Sequence, residues 1–260
     1  MFTLAPNIDL AFAEAGPDPI ARVRAVAAAG FDHVGLFRTS DKDVPALRRA
    51  LDDAGVAVAS SVAEPYCDFT FPGADLTRFL DGLRRSLDDA VTLGAPRLVV
   101  TTGIGFPGAN RDVNLERVTA AMARAVEAAR GSGVRLLIEA VNTKVDHPGS
   151  IVDSTADAVR IARAIGDPNA FGIDYDLYHS LVNGEDPATE LARAGAYLGS
   201  VDIADVPGRG APGTGDVDWR GFLRVLTDSG YRGPIALEVV ERGPDSAASL
   251  AFIQRLAAAA

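Results

Sequence analysis

A short phrase recurs along the chain: an alanine-rich helical stretch, a glycine, and a run of β-branched and other apolar residues. Copies lie at 25–37, 50–62, 90–101, 128–140 and 226–240, with a looser one at 196–206. Glycine ends helices because it accepts the left-handed backbone conformation. The short apolar run that follows is typical of a strand buried on both faces. The repeat therefore predicts helices that alternate with buried parallel strands.

Eight strands are predicted, at 2–8, 33–38, 56–61, 97–102, 134–139, 170–176, 199–204 and 234–239. Amphipathic helices such as 75–94 and 114–133 lie between them. We therefore predict an α/β fold, a single (β/α)₈ TIM barrel, with residues 1–260 as one domain. A doubly wound open sheet is the alternative, but the segment GIGFPG at 103–108 lacks the spacing of a dinucleotide-binding turn.

The amino-acid composition limits the kinds of binding partner that are expected for this chain. The chain has 25 basic and 35 acidic residues and a net charge of −10. It shows no basic face, so neither a nucleic acid nor a membrane is an expected partner. Cys67 is the single cysteine and cannot form an internal disulfide. We expect a soluble cytoplasmic protein that acts on a small molecule, and the sequence leaves open whether it forms a homo-oligomer.

Four acids mark the ends of the last four predicted strands: Glu139, Asp176, Asp202 and Glu238. The carboxyl ends of barrel strands share one face, where active sites lie, so these side chains are expected to converge. Converging carboxylates repel one another unless a cation lies among them, and oxygen ligands suit Mg²⁺ or Mn²⁺. The alternative is four unrelated acids that cap helices or pair with arginines. Asp174 and Asp205 are rival acids in the same segments.

Other polar residues follow the same strand ends. His179 lies three residues after Asp176, and Arg209 lies in a glycine- and proline-rich stretch where it could hold a carboxylate or phosphate. Asn142 and Lys144 follow Glu139 and are expected to hydrogen-bond a substrate. The long segments 62–74 and 105–114 are expected to be loops on the same face and are candidates for a lid.

Several segments resemble the hydroxypyruvate isomerases, a group within the xylose-isomerase-like sugar isomerases and epimerases. These are LLIEAVNTKVDHPG, DYDLYH, GSVDIADVPGRGAPGTGDVDW, LEV and the opening APNIDLAF, which includes Asn7. The resemblance implies one divalent metal ion, Mg²⁺ or Mn²⁺, with one ligand from each of strands five to eight. Carried over, the ligands are Glu139, Asp176, Asp202 and Glu238. It also implies that the two glutamates are acid–base catalysts and that His179, Arg209 and Asn7 contact substrate.

The sequence departs from that family where Asp202 replaces the usual glutamine or histidine, and where HVGLFR lacks an acid near its end. The expected function is a metal-dependent aldose–ketose isomerase that works through an enediolate. Hydroxypyruvate is the first candidate substrate, although the charge of Asp202 favours a neutral sugar. The alternatives are a sugar epimerase and a non-catalytic carbohydrate-binding barrel. An endonuclease on the same barrel is disfavoured by three histidines and the charge of −10.

Overall fold

Eight parallel strands form one sheet in the computed structural model, which describes residues 2–240, 243 and 245–259. The strands are β1 (Leu4–Pro6), β2 (His33–Gly35), β3 (Ala57–Val62), β4 (Arg97–Val100), β5 (Arg135–Glu139), β6 (Phe171–Asp176), β7 (Leu198–Ile203) and β8 (Ile235–Leu237). Their order in the sheet is β1-β8-β7-β6-β5-β4-β3-β2. Each of the eight predicted strands is present, and β1, β2, β4 and β8 are shorter than predicted by two residues or more.

The sheet closes between β1 and β2. A parallel bridge joins Asn7 to Gly35, and the backbone N–H of Ile8 donates to the carbonyl oxygen of Gly35 at 2.9 Å. Closure makes the sheet a nearly complete barrel and confirms the predicted TIM barrel over the open sheet. The assignment of residues 1–260 to one domain stays a prediction.

Helices surround this barrel. In the described residues they are α1 (Pro19–Ala28), α2 (Val44–Ala54), α3 (Leu76–Leu93), α4 (Arg111–Ala129), α5 (Thr155–Ile165), α6 (Leu177–Asn183), α7 (Pro187–Ala194), α8 (Trp219–Asp228) and α9 (Ser246–Ala259). None of these helices is both long and apolar enough to cross a membrane.

Local sequence sets where many helices begin and end. A side-chain oxygen at the N-cap accepts a backbone N–H at the start of eight of these helices, for example Asp75 from Arg78 at 2.9 Å. At the other end, Gly55, Gly94 and Gly166 adopt positive φ angles after α2, α3 and α5. Gly55 and Gly94 belong to the repeated phrase, so the glycine of the repeat marks the end of a helix at both positions.

The two ends of the barrel interior carry opposite charge. Near the N-terminal end, Arg97 donates to the carbonyl oxygen of Gly199 at 2.7 Å and Arg135 donates to that of Tyr197 at 3.0 Å. Toward the other end, the register pairs Glu139 with Asp174 across β5 and β6. It pairs Asp176 with Asp202 across β6 and β7. The acidic side chains of the barrel interior are therefore concentrated at the carboxyl ends of β5 to β8.

Candidate active site

The four predicted acids lie at one end of the barrel. Glu139 is the last residue of β5, Asp202 is the fifth of the six residues of β7, and Glu238 follows β8 directly. Asp176 ends β6 and is also the N-cap of α6, where its Oδ1 accepts the backbone N–H of His179 at 3.0 Å. Three of these acids are buried and Glu139 is nearly so, which places their side chains inside the barrel mouth.

A cavity of about 250 Å³ opens among these strands. Its charged and ionisable lining consists of Glu139, Asp174, Asp202, Glu238, Arg209, His147 and His179. Uncharged polar and aromatic groups complete the wall, including Asn7, Ser60, Thr101, Thr102, Ser150, Phe37 and Tyr66. The volume is below the range of about 300–1,000 Å³ typical of pockets for drug-sized ligands, so it suits a compound of a few carbon atoms.

The carboxylates in the cavity oppose one another's ionisation. Burial, and then the charges of Glu238 and Asp174, hold the pKa of Glu139 well above its usual value. Burial and the charge of Asp174 do the same to the pKa of Asp202. Burial raises the pKa of Glu238 to about 7, although Arg209 acts to lower it. A site with this excess of negative charge stabilises a bound cation.

His179 is held in one tautomer. Its Nδ1 lies 3.1 Å from the backbone nitrogen of Asn142 and 2.7 Å from the side-chain nitrogen of the same residue. Both groups are donors, so Nδ1 accepts and the ring proton belongs on Nε2. Burial lowers the pKa of His179, which favours the neutral ring. Nε2 therefore carries a hydrogen, and it lies 3.5 Å from Glu139 Oε1 and 3.7 Å from Asp176 Oδ2.

Both polar atoms of the Asn142 side chain are hydrogen-bonded within the protein. The residue is fully buried; its amide nitrogen also donates to Asp146 at 2.6 Å, and its oxygen accepts the backbone N–H of Val145 and of Asp146 at 3.0 Å. Asn142 does not line the cavity, nor does Lys144, which donates to the carbonyl oxygen of Asn183 at 2.9 Å. The geometry makes Asn142 a positioning residue for His179 and places Lys144 away from the cavity.

Arg209 lies inside the acidic cluster. Its Nη2 is 2.7 Å from Glu238 Oε2 and 3.6 Å from Asp176 Oδ2, and its guanidinium stacks on the ring of Tyr178 at 5.3 Å. The backbone of Arg209 has a φ of 55°, a left-handed conformation that non-glycine residues adopt rarely. The positive charge of Arg209 is thus already paired with protein carboxylates. The side chain orients Glu238 and also lines the cavity.

Asn7 and Asp205 also have defined partners. Asn7 Nδ2 donates to Glu238 Oε1 at 3.4 Å, so the predicted opening residue does reach the site. Asp205, the rival acid in β7's segment, is buried elsewhere: it accepts the backbone N–H of Gly213 at 2.6 Å and the indole N–H of Trp219 at 3.0 Å. Asp205 therefore holds the loop that carries Arg209.

Two ionisable residues of the cavity are ones to which the sequence pattern assigns no definite role. His147 lines the cavity, and its ring packs edge-on against that of His179, with centroids 5.3 Å apart. Asp174, a rival ligand by its position in the sequence, shares a strand face with Asp176 and is buried in the cavity wall. The period of two along β6 was the available signal for Asp174. Nothing in the sequence pattern signals His147.

The residues present fit a divalent metal ion. One ligand atom each from Glu139, Asp176 and His179 lie within 4.8 Å of one another. The tautomer of His179 weakens the histidine as a ligand, because a coordinating nitrogen must be free of its proton. The buried carboxylates supply the hard oxygen donors that Mg²⁺ and Mn²⁺ prefer. An oxygen-rich site is therefore a better match to these residues than a nitrogen-rich one.

Two relatives that are named as isomerases are similar to the chain over most of its length. A putative hydroxypyruvate isomerase from Streptomyces coelicolor is 31% identical over 92% of this chain and 91% of its own length. A 2-oxo-tetronate isomerase from Cupriavidus necator is 30% identical over 87% of this chain and 88% of its own length. Both relatives are named as isomerases, so this protein is an isomerase-type enzyme.

A solved structure from Brucella melitensis, named an AP endonuclease of family 2, has a TM-score of 0.89 and 25% identity. The match covers 98% of this chain and 99% of that one. The family model described as xylose isomerase-like TIM barrel matches residues 23–256. The match spans the four acidic strand ends, His179 and Arg209, and the chain belongs to the xylose isomerase-like TIM barrel family.

Proposed function

We propose that the protein is a metal-dependent aldose–ketose isomerase for a small hydroxy-carbonyl compound, similar in chemistry to the hydroxypyruvate isomerases. One observation carries the proposal: two glutamates, Glu139 and Glu238, line the same small cavity, and burial raises the pKa of each. A carboxyl group with a pKa near neutrality can take up and return a proton at physiological pH. The names of the two relatives support this class of reaction.

The proposed metal ligands are the carboxylates Glu139, Asp176, Asp202 and Glu238, because they are the buried oxygen donors at the ends of β5 to β8. A bound divalent ion would polarise the carbonyl and the neighbouring hydroxyl of a substrate, which makes the hydrogen between them more acidic. Mg²⁺ and Mn²⁺ are the proposed ions.

The protein's own groups then move the proton. One of Glu139 and Glu238 takes the hydrogen from the carbon beside the carbonyl. The other carboxyl group gives a proton to the former carbonyl carbon, and the hydroxyl hydrogen passes to the former carbonyl oxygen, which converts the ketose into the aldose. Transfers of this kind are typically worth roughly 10²–10⁴-fold each. The substrate oxygen that gains negative charge needs a hydrogen-bond donor, and the Nε2–H of His179 is proposed for it.

The surrounding contacts keep these groups in place. Arg209 holds Glu238 at 2.7 Å and Asn7 reaches the other oxygen of the same carboxylate at 3.4 Å. Asn142 fixes the ring of His179. A carboxylate held from both sides keeps one orientation toward the substrate, which is what efficient proton transfer requires.

The test is conversion of a panel of small substrates by the metal-loaded protein in D₂O, followed by NMR. Hydroxypyruvate, a 2-oxo-tetronate and the neutral ketose erythrulose are offered with Mg²⁺, with Mn²⁺ and with EDTA. We expect the carbonyl group to move to the adjacent carbon in at least one of them, deuterium in that product, and no turnover in EDTA.

The same spectra separate the alternatives. Deuterium that enters without movement of the carbonyl, with inversion at carbon, would make the protein an epimerase. Binding of substrate without deuterium exchange in any metal would leave a carbohydrate-binding barrel and contradict the proposal. An abasic DNA duplex is included, since one similar structure carries an endonuclease name. Cleavage of that duplex with no conversion of sugars would also contradict it.

A further inference from the structure

Asp174 lies deeper in the barrel than the proposed metal ligand of its own strand. It precedes Asp176 by two residues on β6, which places its Cα about 6.6 Å further from the carboxyl end at ~3.3 Å per residue. Its register partners are Glu139 on β5 and Ser200 on β7. Asp174 is only 1% exposed, yet it lines the cavity, so its carboxyl group forms part of the cavity floor.

One oxygen of this carboxyl group is left without a partner. The side chains of Asp202 and Ser200 lie beside this carboxyl group. Among the described residues, however, its Oδ1 accepts no hydrogen bond. A buried acceptor that is left unpaired costs free energy, and native structures pair the large majority of such atoms. An unpaired oxygen on a cavity wall is therefore matched to a donor that arrives with a ligand.

The other side chains at the cavity floor determine which functional group of the ligand can lie there. Asp202 lies beside Asp174 and is also buried, with Ser200 Oγ donating to it at 3.3 Å. Arg209, the cationic side chain that lines the cavity, pairs instead with Glu238 and Asp176. A substrate carboxylate at the floor would meet two carboxyl groups and no unpaired cation. A hydroxyl group would instead donate to the free oxygen.

We propose that Asp174 is a specificity-determining residue that accepts a hydrogen bond from a substrate hydroxyl at the floor of the cavity. The inner end of the substrate is then a hydroxylated carbon, and the site takes polyhydroxy carbonyl compounds in preference to compounds that lack this hydroxyl. Any substrate carboxylate points toward the mouth. The inference rests on the proposed function for the placement of substrate in this cavity, but its test uses binding rather than turnover.

The test compares two neutral ligands that differ by one hydroxyl group: erythrulose and 1,3-dihydroxybutan-2-one, which lacks only the terminal hydroxyl. Calorimetry on the Mn²⁺-loaded protein gives both dissociation constants. We expect erythrulose to bind the native protein at least tenfold more tightly, since sites built to pair a hydroxyl discriminate strongly against its loss. In Asp174→Ala the two constants should agree within about threefold, because the acceptor is gone.

Two further measurements keep the proposal falsifiable. Asp88→Ala, which removes an exposed carboxylate on α3, should keep the native discrimination. Affinity for Mn²⁺ should change less than about threefold in Asp174→Ala. A loss of tenfold or more would make Asp174 a metal ligand and overturn the proposal. Equal affinity of the native protein for both ligands would overturn it without any variant. Discriminating binding with no turnover would instead contradict the proposed function alone.

Discussion

Asn142, which does not line the cavity, determines which ring nitrogen of His179 carries the proton. Asn142 presents two N–H groups to Nδ1, at 3.1 and 2.7 Å, and this leaves the hydrogen on Nε2 toward Glu139 and Asp176. A single residue thus sets whether the ring acts as a donor or as a metal ligand. Outer contacts of this kind are typically worth 10–100-fold in activity or metal affinity.

We predict that Asn142→Asp reverses this arrangement. The substitution keeps the shape but replaces the side-chain donor with an oxygen, so Nδ1 should gain a proton and the pKa of His179 should rise. Turnover should fall about 10–100-fold. ¹⁵N NMR of the labelled histidine reports the protonation of each ring nitrogen. Asn169→Asp, at an exposed position, is the control. A native ring spectrum together with native turnover in Asn142→Asp would show that the tautomer is set elsewhere.

At the scale of elements, the loop between β7 and α8 depends on one buried carboxylate. Asp205 accepts the backbone N–H groups of Val206 at 2.9 Å, Gly213 at 2.6 Å and Val217 at 3.2 Å, and the indole of Trp219. Burial alone would raise the pKa of Asp205, but these hydrogen bonds lower it below 3.8. Because this loop carries Arg209, the stability of the loop also determines how well Arg209 is held in the active site.

We predict that Asp205→Asn destabilises the protein by about 1–3 kcal/mol, because charge-assisted hydrogen bonds are lost. Since the folded pKa lies below the unfolded one, the ionised group stabilises the fold above about pH 4, and this contribution disappears as the pH falls toward the folded pKa. Urea unfolding from pH 3 to 7 measures it. The difference between native protein and variant should shrink on acidification. Asp216→Asn is the control, and a constant difference would refute the assignment.

For the whole molecule, the repeated phrase is sufficient to predict the barrel. The glycines that end helices and the apolar runs that form buried strands are both local features of the sequence. The strand ends also located the site, since the barrel brings every carboxyl end to one face. Asp174 and His147 were not assigned because their roles depend on neighbours from other strands and loops. The pairing of Arg209 with Glu238 joins residues that lie 29 positions apart, and sequence spacing carries no sign of it.

The excess of carboxylates also predicts how the whole fold responds to metal. Mn²⁺ at a hundred times its dissociation constant should stabilise the protein by about 2.7 kcal/mol, and EDTA should reverse this. Asp176→Asn should lose the stabilisation, and its metal-free form should be at least as stable as the metal-free native protein, because one repelling charge is gone. Thermal unfolding with and without Mn²⁺ measures both. An unchanged Mn²⁺ effect in Asp176→Asn would contradict the ligand set.

The central claim is that Glu139 and Glu238 both move protons during the conversion, and the rate at which deuterated product forms in D₂O tests it most directly, because formation of product needs both carboxyl groups. NMR follows this rate in the Mn²⁺-loaded native protein, in Glu139→Gln and in Glu238→Gln, with Glu116→Gln on the exposed face of α4 as control. Each active-site variant, with Mn²⁺ binding verified, should form product about 10²–10⁴-fold more slowly, while the control keeps the native rate. Product formation within threefold of the native rate in either metal-loaded active-site variant would contradict the claim.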